Sequence, residues 1–216
     1  MTPIAVITDW GGVLTAPLNS AIARWLATDQ IDVPHYKEVM RAWFDGAYQG
    51  SSTTGNLIHG LEDGSLAPQE FERLLAVELR RTDGGPVTAE GLIDRMFAEF
   101  APVEPMYAAL RAVRAAGFQT GLLSNSWGNA YPRELWGELF DCVVISGEVG
   151  MRKPAPEIFQ HTVSLLGLRP DQCVFVDDIV HNVTAAEELG MIGVHHTDVI
   201  GTQARLGELF KINLSH

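Results

Sequence analysis

The sequence predicts an α/β protein: a Rossmann-like doubly wound parallel sheet core with an inserted helical cap. Three observations carry this. From residue 104 onward, short apolar runs alternate with amphipathic stretches of helical spacing. These apolar runs break off at Ser, Asp, Gly or His residues. Between the first such run and the rest lies a stretch from 16 to about 87 with helical periodicity throughout and no strand-like segment. Strands alternating with helices make a parallel sheet covered on both faces. Residues 1–15 and 88–216 are therefore assigned to the core and 16–87 to the cap.

Taken in order, Ile4-Ala5-Val6-Ile7-Thr8 runs to Asp9, and Gly11-Gly12 follow, which reads as a buried strand ending in a turn. Leu18, Ile22, Trp25 and Leu26 have helical spacing. Pro34 opens a second helix over 34–46, with Tyr36, Val39, Met40 and Phe44 on one face. Residues 50–55 read as a loop, and a short segment 56–62 meets the turn Asp63-Gly64. Pro68 starts a helix that points Phe71, Leu74, Leu75 and Leu79 inward. After the break at 82–86, Thr88 is expected to cap a helix reaching about Phe100. Helix 104–115 ends at Gly117. Strand 118–123 stops at Ser124-Asn125-Ser126, and a helix is expected near 131–138. Strand 142–145 stops at Ser146-Gly147, and helix 155–166 follows Lys153-Pro154. Strand 173–176 stops at Asp177-Asp178, and helix 181–189 ends at Gly190. Strand 191–196 and a helix over about 202–212 complete the chain.

A chain of 216 residues suffices for one large domain or a core carrying a smaller insert. It is 46% hydrophobic and 19% charged, the composition of a folded chain. A net charge of -12, with Lys37, Lys153 and Lys211 as the only lysines and arginines scattered, argues against a nucleic-acid partner. Cys142 and Cys173 each open an apolar strand, as buried thiols do, and not as a disulfide or metal pair. No apolar run has membrane-span length and residues 1–4 are no signal peptide, so a cytoplasmic setting without a membrane partner is expected.

Ligands of open parallel sheets bind beyond the carboxyl ends of the strands. Collected there are Asp9, then Ser124 with Asn125, then Lys153 in the loop after the third strand, then Asp177-Asp178. Three carboxylates in one crevice repel one another unless a cation sits among them. Oxygen ligands suit a hard ion, and Mg²⁺ is held by few carboxylates plus substrate phosphate. A lysine and a hydroxyl at the same crevice suit phosphate oxygens. A carboxylate can attack phosphorus and carry the phosphoryl group, while cations stabilise charge as it moves. Which of the paired Asp residues touches the ion is open at this point.

These motifs resemble those of the haloacid dehalogenase superfamily: Asp9 with Gly12-Val13-Leu14-Thr15, Leu-Leu-Ser-Asn-Ser ending the second strand at Ser124, Gly-Met-Arg-Lys-Pro with Lys153, and Val-Phe-Val-Asp-Asp with Asp177 and Asp178. Within it the chain is similar to small sugar-phosphate phosphatases of the glucose-1-phosphate phosphatase type, which share the Glu-x-Gly cap turn, here Glu62 and Gly64. The resemblance implies an Mg²⁺-dependent phosphatase acting on a small phosphorylated metabolite through an aspartyl-phosphate on Asp9. It implies Asp9, the Gly11 carbonyl and Asp178 as metal ligands, with Asp177 in support. It implies Ser124, Lys153 and the backbones of Trp10, Gly11 and Asn125 as the phosphate cradle.

The chain departs from the family pattern at Gly11, where most such phosphatases carry a second Asp that protonates the leaving group. Such acid–base help is worth ~10²–10⁴-fold. Three readings follow: a phosphatase helped by water, substrate or a cap side chain (His35, Asp45, His59 or Glu62); carbon–phosphorus cleavage like that of phosphonoacetaldehyde hydrolases, whose Asp-Trp-Ala-Gly resembles Asp9-Trp10-Gly11-Gly12; or a phospho-ligand-binding regulatory protein without turnover. The second needs a cap lysine, and Lys37 is the one in this cap. Trp127, Trp43, Phe44 and Tyr48 are the candidates to line the substrate entrance.

Overall fold

The computed structural model describes residues 3–48, 57–128, 131–134 and 136–214, with the backbone alone at 44–48. The predicted loop 50–55 and the side chains of Phe44, Asp45 and Tyr48 lie outside the described residues.

The strands are β1 (Ala5–Thr8), β2 (Gln119–Ser124), β3 (Cys142–Ile145), β4 (Cys173–Asp177) and β5 (Ile192–His195). They form one sheet in the order β3-β2-β1-β4-β5, and every pairing is parallel. β1 is central, with Thr8 paired to Leu122 on one side and Val176 on the other. This register brings Asp9, Ser124 and Asp177 to the same edge, where strand order turns back, which is the ligand-binding crevice of such sheets.

Alternation along β1 explains its burial on both faces. Val6 faces a cluster with Leu122, Val174 and Val176, while Ala5 and Ile7 face another with Leu123 and Phe175. The first cluster is covered by α6 (Glu104–Ala115) and α11 (Val199–Phe210), the second by α9 (Pro156–Leu165) and α10 (Val180–Glu188); these helix numbers count the five that precede α6.

Those five are α1 (Leu18–Thr28), α2 (Val33–Tyr48), α3 (Leu57–Asp63), α4 (Pro68–Glu78) and α5 (Leu92–Phe97). They lie between β1 and β2 and build an apolar cluster of their own around Trp25, Ile58, Phe71 and Leu75. Leu92, Ile93 and Met96 of α5 join this cluster, although the sequence reading placed residues from 88 onward in the core. Phe97 and Phe100 pack against both this cluster and the sheet's first one. Among the described residues, two further α-helices are single turns, α7 (Trp136–Leu139) and α8 (Ser146–Val149), and Pro170–Gln172 forms a 3-10 turn.

The helical segment docks on the sheet through α3 and α8. Ser146 Oγ donates to the carbonyl of Glu62. Gly64, at φ +78, has the carbonyl oxygen of Gly147 2.6 Å from where a Cβ would stand. Only glycine permits both that backbone conformation and that approach.

Three sequence expectations are corrected. Thr88 does not cap a helix: α5 starts at Leu92 after Gly91 in a left-handed conformation, and the Thr88 carbonyl instead accepts from Arg95 Nη2 at 2.7 Å. The helix expected near 131–138 is reduced to α7, because Pro132 disfavours helical backbone at Tyr131, whose ring is also held by Trp10 and Ser124. The last helix begins earlier than 202, since Asp198 accepts from Gly201 N at 2.8 Å and caps it. Among the described residues, no helix is long and apolar enough to cross a membrane.

Candidate active site

Asp9 leaves the end of β1 with its backbone N–H donating to the Val176 carbonyl at 2.9 Å, which points the side chain beyond the sheet. Its carboxylate is buried. Oδ1 accepts from the Trp10 backbone N–H at 2.7 Å and stands 3.1 Å from Lys153 Nζ. The turn that follows closes on itself, with Leu14 N–H on the Trp10 carbonyl and Gly12 N–H on Thr15 Oγ1.

Lys153 is only 1% exposed although its own strand ends several residues earlier. The side-chain amide of Asn125 clamps its backbone in both directions: Oδ1 accepts from Lys153 N–H at 2.9 Å and Nδ2 donates to the Lys153 carbonyl at 3.0 Å. Nζ therefore reaches Asp9 on one side and Asp177 Oδ2, at 2.6 Å, on the other. Asp177 is fully buried and well supplied with donors. Ile179 N–H reaches Oδ1 at 2.8 Å, and Asn182 Nδ2 lies 3.2 and 3.1 Å from its two oxygens.

Asp178 differs. Its Oδ1 is buried and has no hydrogen-bond partner among the described residues. Oxygens of Asp9, Asp177 and Asp178 lie within 4.8 Å of one another, a group able to hold a metal ion. Gly12, at φ +75, is what lets Asp178 in, for a Cβ there would lie 2.2 Å from Asp178 Oδ2.

Charge is out of balance in this cluster. Burial raises the pKa of Asp9 to about 7, with Asp177 and Asp178 adding to the rise and Lys153 opposing it. Burial, then the neighbouring Asp177, raises Asp178 to about 6. Burial works against the charge on Lys153, but Asp177 and Asp9 outweigh it and hold the ammonium above the usual lysine value. One buried cation thus faces three carboxylates. Such a site accepts a further cation, and the all-oxygen donor set with one unpartnered oxygen fits Mg²⁺.

The raised acids have a measurable consequence. Between the ordinary value of 3.8 and about 7, folded Asp9 holds a proton that the unfolded chain releases. Without metal, stability is therefore expected to fall as pH rises through that window. Thermal unfolding in chelator from acid to neutral pH checks this. A midpoint that rises with pH in chelator, or one that divalent cation leaves unchanged at neutral pH, would contradict it.

Ser124 ends β2 with its Oγ 2.9 Å from Tyr131 Oη. Burial raises the pKa of the Tyr131 phenol above the usual range. The Trp10 ring lies in an aromatic panel, 5.7 Å from Phe97, 5.7 Å from Phe100 and 4.9 Å from Tyr131. Next to these groups is a cavity of about 230 Å³ bordered by Asp9, Gly11, Ser124, Asn125 and Lys153 on the sheet side. A larger cavity of about 570 Å³ backs onto the same panel but meets none of these strand-end side chains except Trp10.

Glu62 alone among the described cap helpers borders the smaller cavity. Its Oε2 is 3.2 Å from Arg152 Nη1, its Oε1 accepts from Trp127 Nε1 at 3.4 Å, and burial raises its pKa. His59 sits behind it against Arg152, and His35 bonds the Glu78 carbonyl away from the cavity. Trp127 borders the cavity. Trp43 does not: its ring packs 5.7 Å from Phe71 in the helical cluster, as aromatic residues at helical spacing commonly do. Tyr131, Asn182 and the Asn125 side chain were missed by sequence reasoning. Tyr131 stands in no motif, Asn182 lies in the stretch after Asp177-Asp178 but was given no role there, and the part played by Asn125 depends on a residue 28 positions away.

A family model described as haloacid dehalogenase-like hydrolase matches residues 5–190. The chain is 31% identical over 222 residues to the rat (Rattus norvegicus) bifunctional epoxide hydrolase 2, covering 94% of this chain and 38% of that one. It is 33% identical over 112 residues to a sesquiterpene phosphatase of Aspergillus oryzae, covering 50% of this chain and 57% of that one. The chain thus spans well under two thirds of either relative. A structure of an enzyme from Bacteroides thetaiotaomicron, in complex with magnesium and inorganic phosphate, superposes with a TM-score of 0.60 at 21% identity, covering 89% of this chain and 93% of that one.

Proposed function

This chain belongs to the haloacid dehalogenase-like hydrolases, and on that premise we propose that it hydrolyses a small phosphate monoester through an aspartyl-phosphate on Asp9. The observation that carries the reading is the buried Lys153 bridge between Asp9 and Asp177 beside the unpartnered Asp178 oxygen.

In the first step a carboxylate oxygen of Asp9 attacks phosphorus. The P–O bond to the alcohol breaks, and the departing oxygen takes up a proton from solvent water. In the second, water attacks the aspartyl-phosphate and releases inorganic phosphate and the free carboxylate. Lys153 holds Asp9 in place and, with Ser124, faces the phosphoryl oxygens. Asn125 fixes Lys153 through its backbone. Asp9, Asp178 and the Gly11 carbonyl would hold Mg²⁺, with Asp177 turned to Lys153 and Asn182 in support. The bound ion supplies Lewis acidity and offsets the phosphate charge. The magnesium and phosphate in the Bacteroides structure and the phosphatase name of the Aspergillus relative support this reading. Carbon–phosphorus cleavage has less support, because Lys37 is exposed on α2 and does not border the cavity.

Gly11 offers no carboxyl to the leaving oxygen, so turnover should depend steeply on how stable that oxygen is when it departs. Chelator-treated protein is expected to release phosphate only when Mg²⁺ is restored. p-Nitrophenyl phosphate is expected to turn over ~10²-fold or more faster in kcat than phenyl phosphate, the size of the acid assistance that is missing. Equal rates would place an acid in the site after all. If no ester in a broad panel turns over while inorganic phosphate still binds, the chain is a phospho-ligand-binding module.

A further inference from the structure

The walls of the 230 Å³ cavity divide by chemistry. Apart from Glu62, the polar side chains stand on the sheet side and are engaged there. Ser124 Oγ and Tyr131 Oη bond each other, the Asn125 amide is taken up by the Lys153 backbone, and Asn182 Nδ2 faces Asp177. The side where the alcohol half of an ester would lie is formed by Leu18 and Ile22 of α1, Met96 and Phe97 of α5, Phe100 and Trp127. Leu18 hangs directly over the catalytic turn, its Cδ2 3.4 Å from where a Cβ on Gly11 would stand. Glu62 is the one charged side chain among the described residues on that side, and its oxygens already accept from Trp127 and Arg152. A sugar placed here would leave several hydroxyls facing carbon, whereas an alkyl, prenyl or aryl group would exclude water from apolar surface.

We propose that the preferred substrates are phosphate monoesters of small apolar alcohols, not the sugar phosphates that the sequence resemblance suggests. This rests on the phosphatase reading and deepens it. The cavity lies below the roughly 300–1,000 Å³ of drug-sized sites, so the group it takes is short.

The test compares n-hexyl phosphate with glucose 6-phosphate. Both are esters of primary alcohols, so leaving-group chemistry is nearly matched and the difference reports the wall. A kcat/KM at least ~10²-fold higher for the hexyl ester is expected, since even one hydroxyl placed against an apolar pocket is discriminated by about that factor. Ile22→Asn is expected to narrow the preference ~10-fold through KM, the effect of losing apolar contact of a methylene or two, while inhibition by inorganic phosphate stays as in the parent. Binding of hexylphosphonate, followed by tryptophan fluorescence, gives a readout that needs no turnover. Preference for glucose 6-phosphate, or equal rates, would overturn the proposal and leave the phosphatase reading standing. If no ester is hydrolysed the phosphatase reading fails, and hexylphosphonate binding no tighter than glucose 6-phosphate would then remove the apolar site as well.

Discussion

Asp9→Asn is expected to lower Mg²⁺-dependent phosphate release by at least ~10⁴-fold, as removal of a covalent nucleophile does in other hydrolases. The substitution is isosteric. An asparagine oxygen can still accept from Trp10 N–H, the bond that sets the turn in the parent chain. What disappears is the charged oxygen that attacks phosphorus. Loss of activity through unfolding is separable, because burial holds the Asp9 acid at about 7 and so penalises its charged form. Removing that charge is expected to leave the thermal midpoint in chelator at neutral pH unchanged or higher. Phosphate release and thermal unfolding on the same preparation check both halves. Turnover within tenfold of the parent would show that Asp9 is not the nucleophile.

Lys153→Met is expected to cost about 3–5 kcal/mol of stability, the range for removing one partner of a buried ion pair. The lysine stem is fully enclosed, so methionine fills much of the same space and the missing quantity is the charge. Asp9 and Asp177 would then face each other and Asp178 with no cation between them. Against a total stability of roughly 5–15 kcal/mol, a loss of this size is large. Urea denaturation in chelator measures it. Mg²⁺ is expected to restore part of the loss, because the ion offsets the same carboxylates, while turnover stays low because the group facing the phosphoryl oxygens is gone. Asp177→Asn combined with Lys153→Met should cost less than the sum of the two single changes, as for residues in direct contact. A single-variant cost below about 1 kcal/mol, the value of an exposed pair, would show that the bridge does not hold the site together.

Much of the fold was legible because its signals are local. The five strands were marked by apolar runs that end at polar residues; Ser124 and Asp177 close β2 and β4, and Asp9 follows directly on β1. The misreadings also have local causes. Thr88 looked like a cap, but the chain needs Gly91 in a left-handed conformation before α5 can turn into the helical cluster. Trp43 looked like a substrate wall, but helical spacing alone does not tell a core-facing aromatic from one facing a cavity, and Phe71 takes it inward.

By itself, the sequence determined the parallel sheet and the residue types at the strand ends. Continuous apolar runs and helical patterning, together with Gly and Asp at chain reversals, act within a few residues of one another. How those residues are used follows from long-range packing. The Asn125 clamp joins positions 28 apart, the Lys153–Asp177 pair positions 24 apart, and the Arg152–Glu62 contact positions 90 apart. The unpartnered oxygen of Asp178 and the apolar wall over Gly11 likewise exist only after packing. Burial sets both. It sets three carboxylates around the single buried ammonium of Lys153, and it leaves the leaving-group side of the cavity lined mostly with carbon.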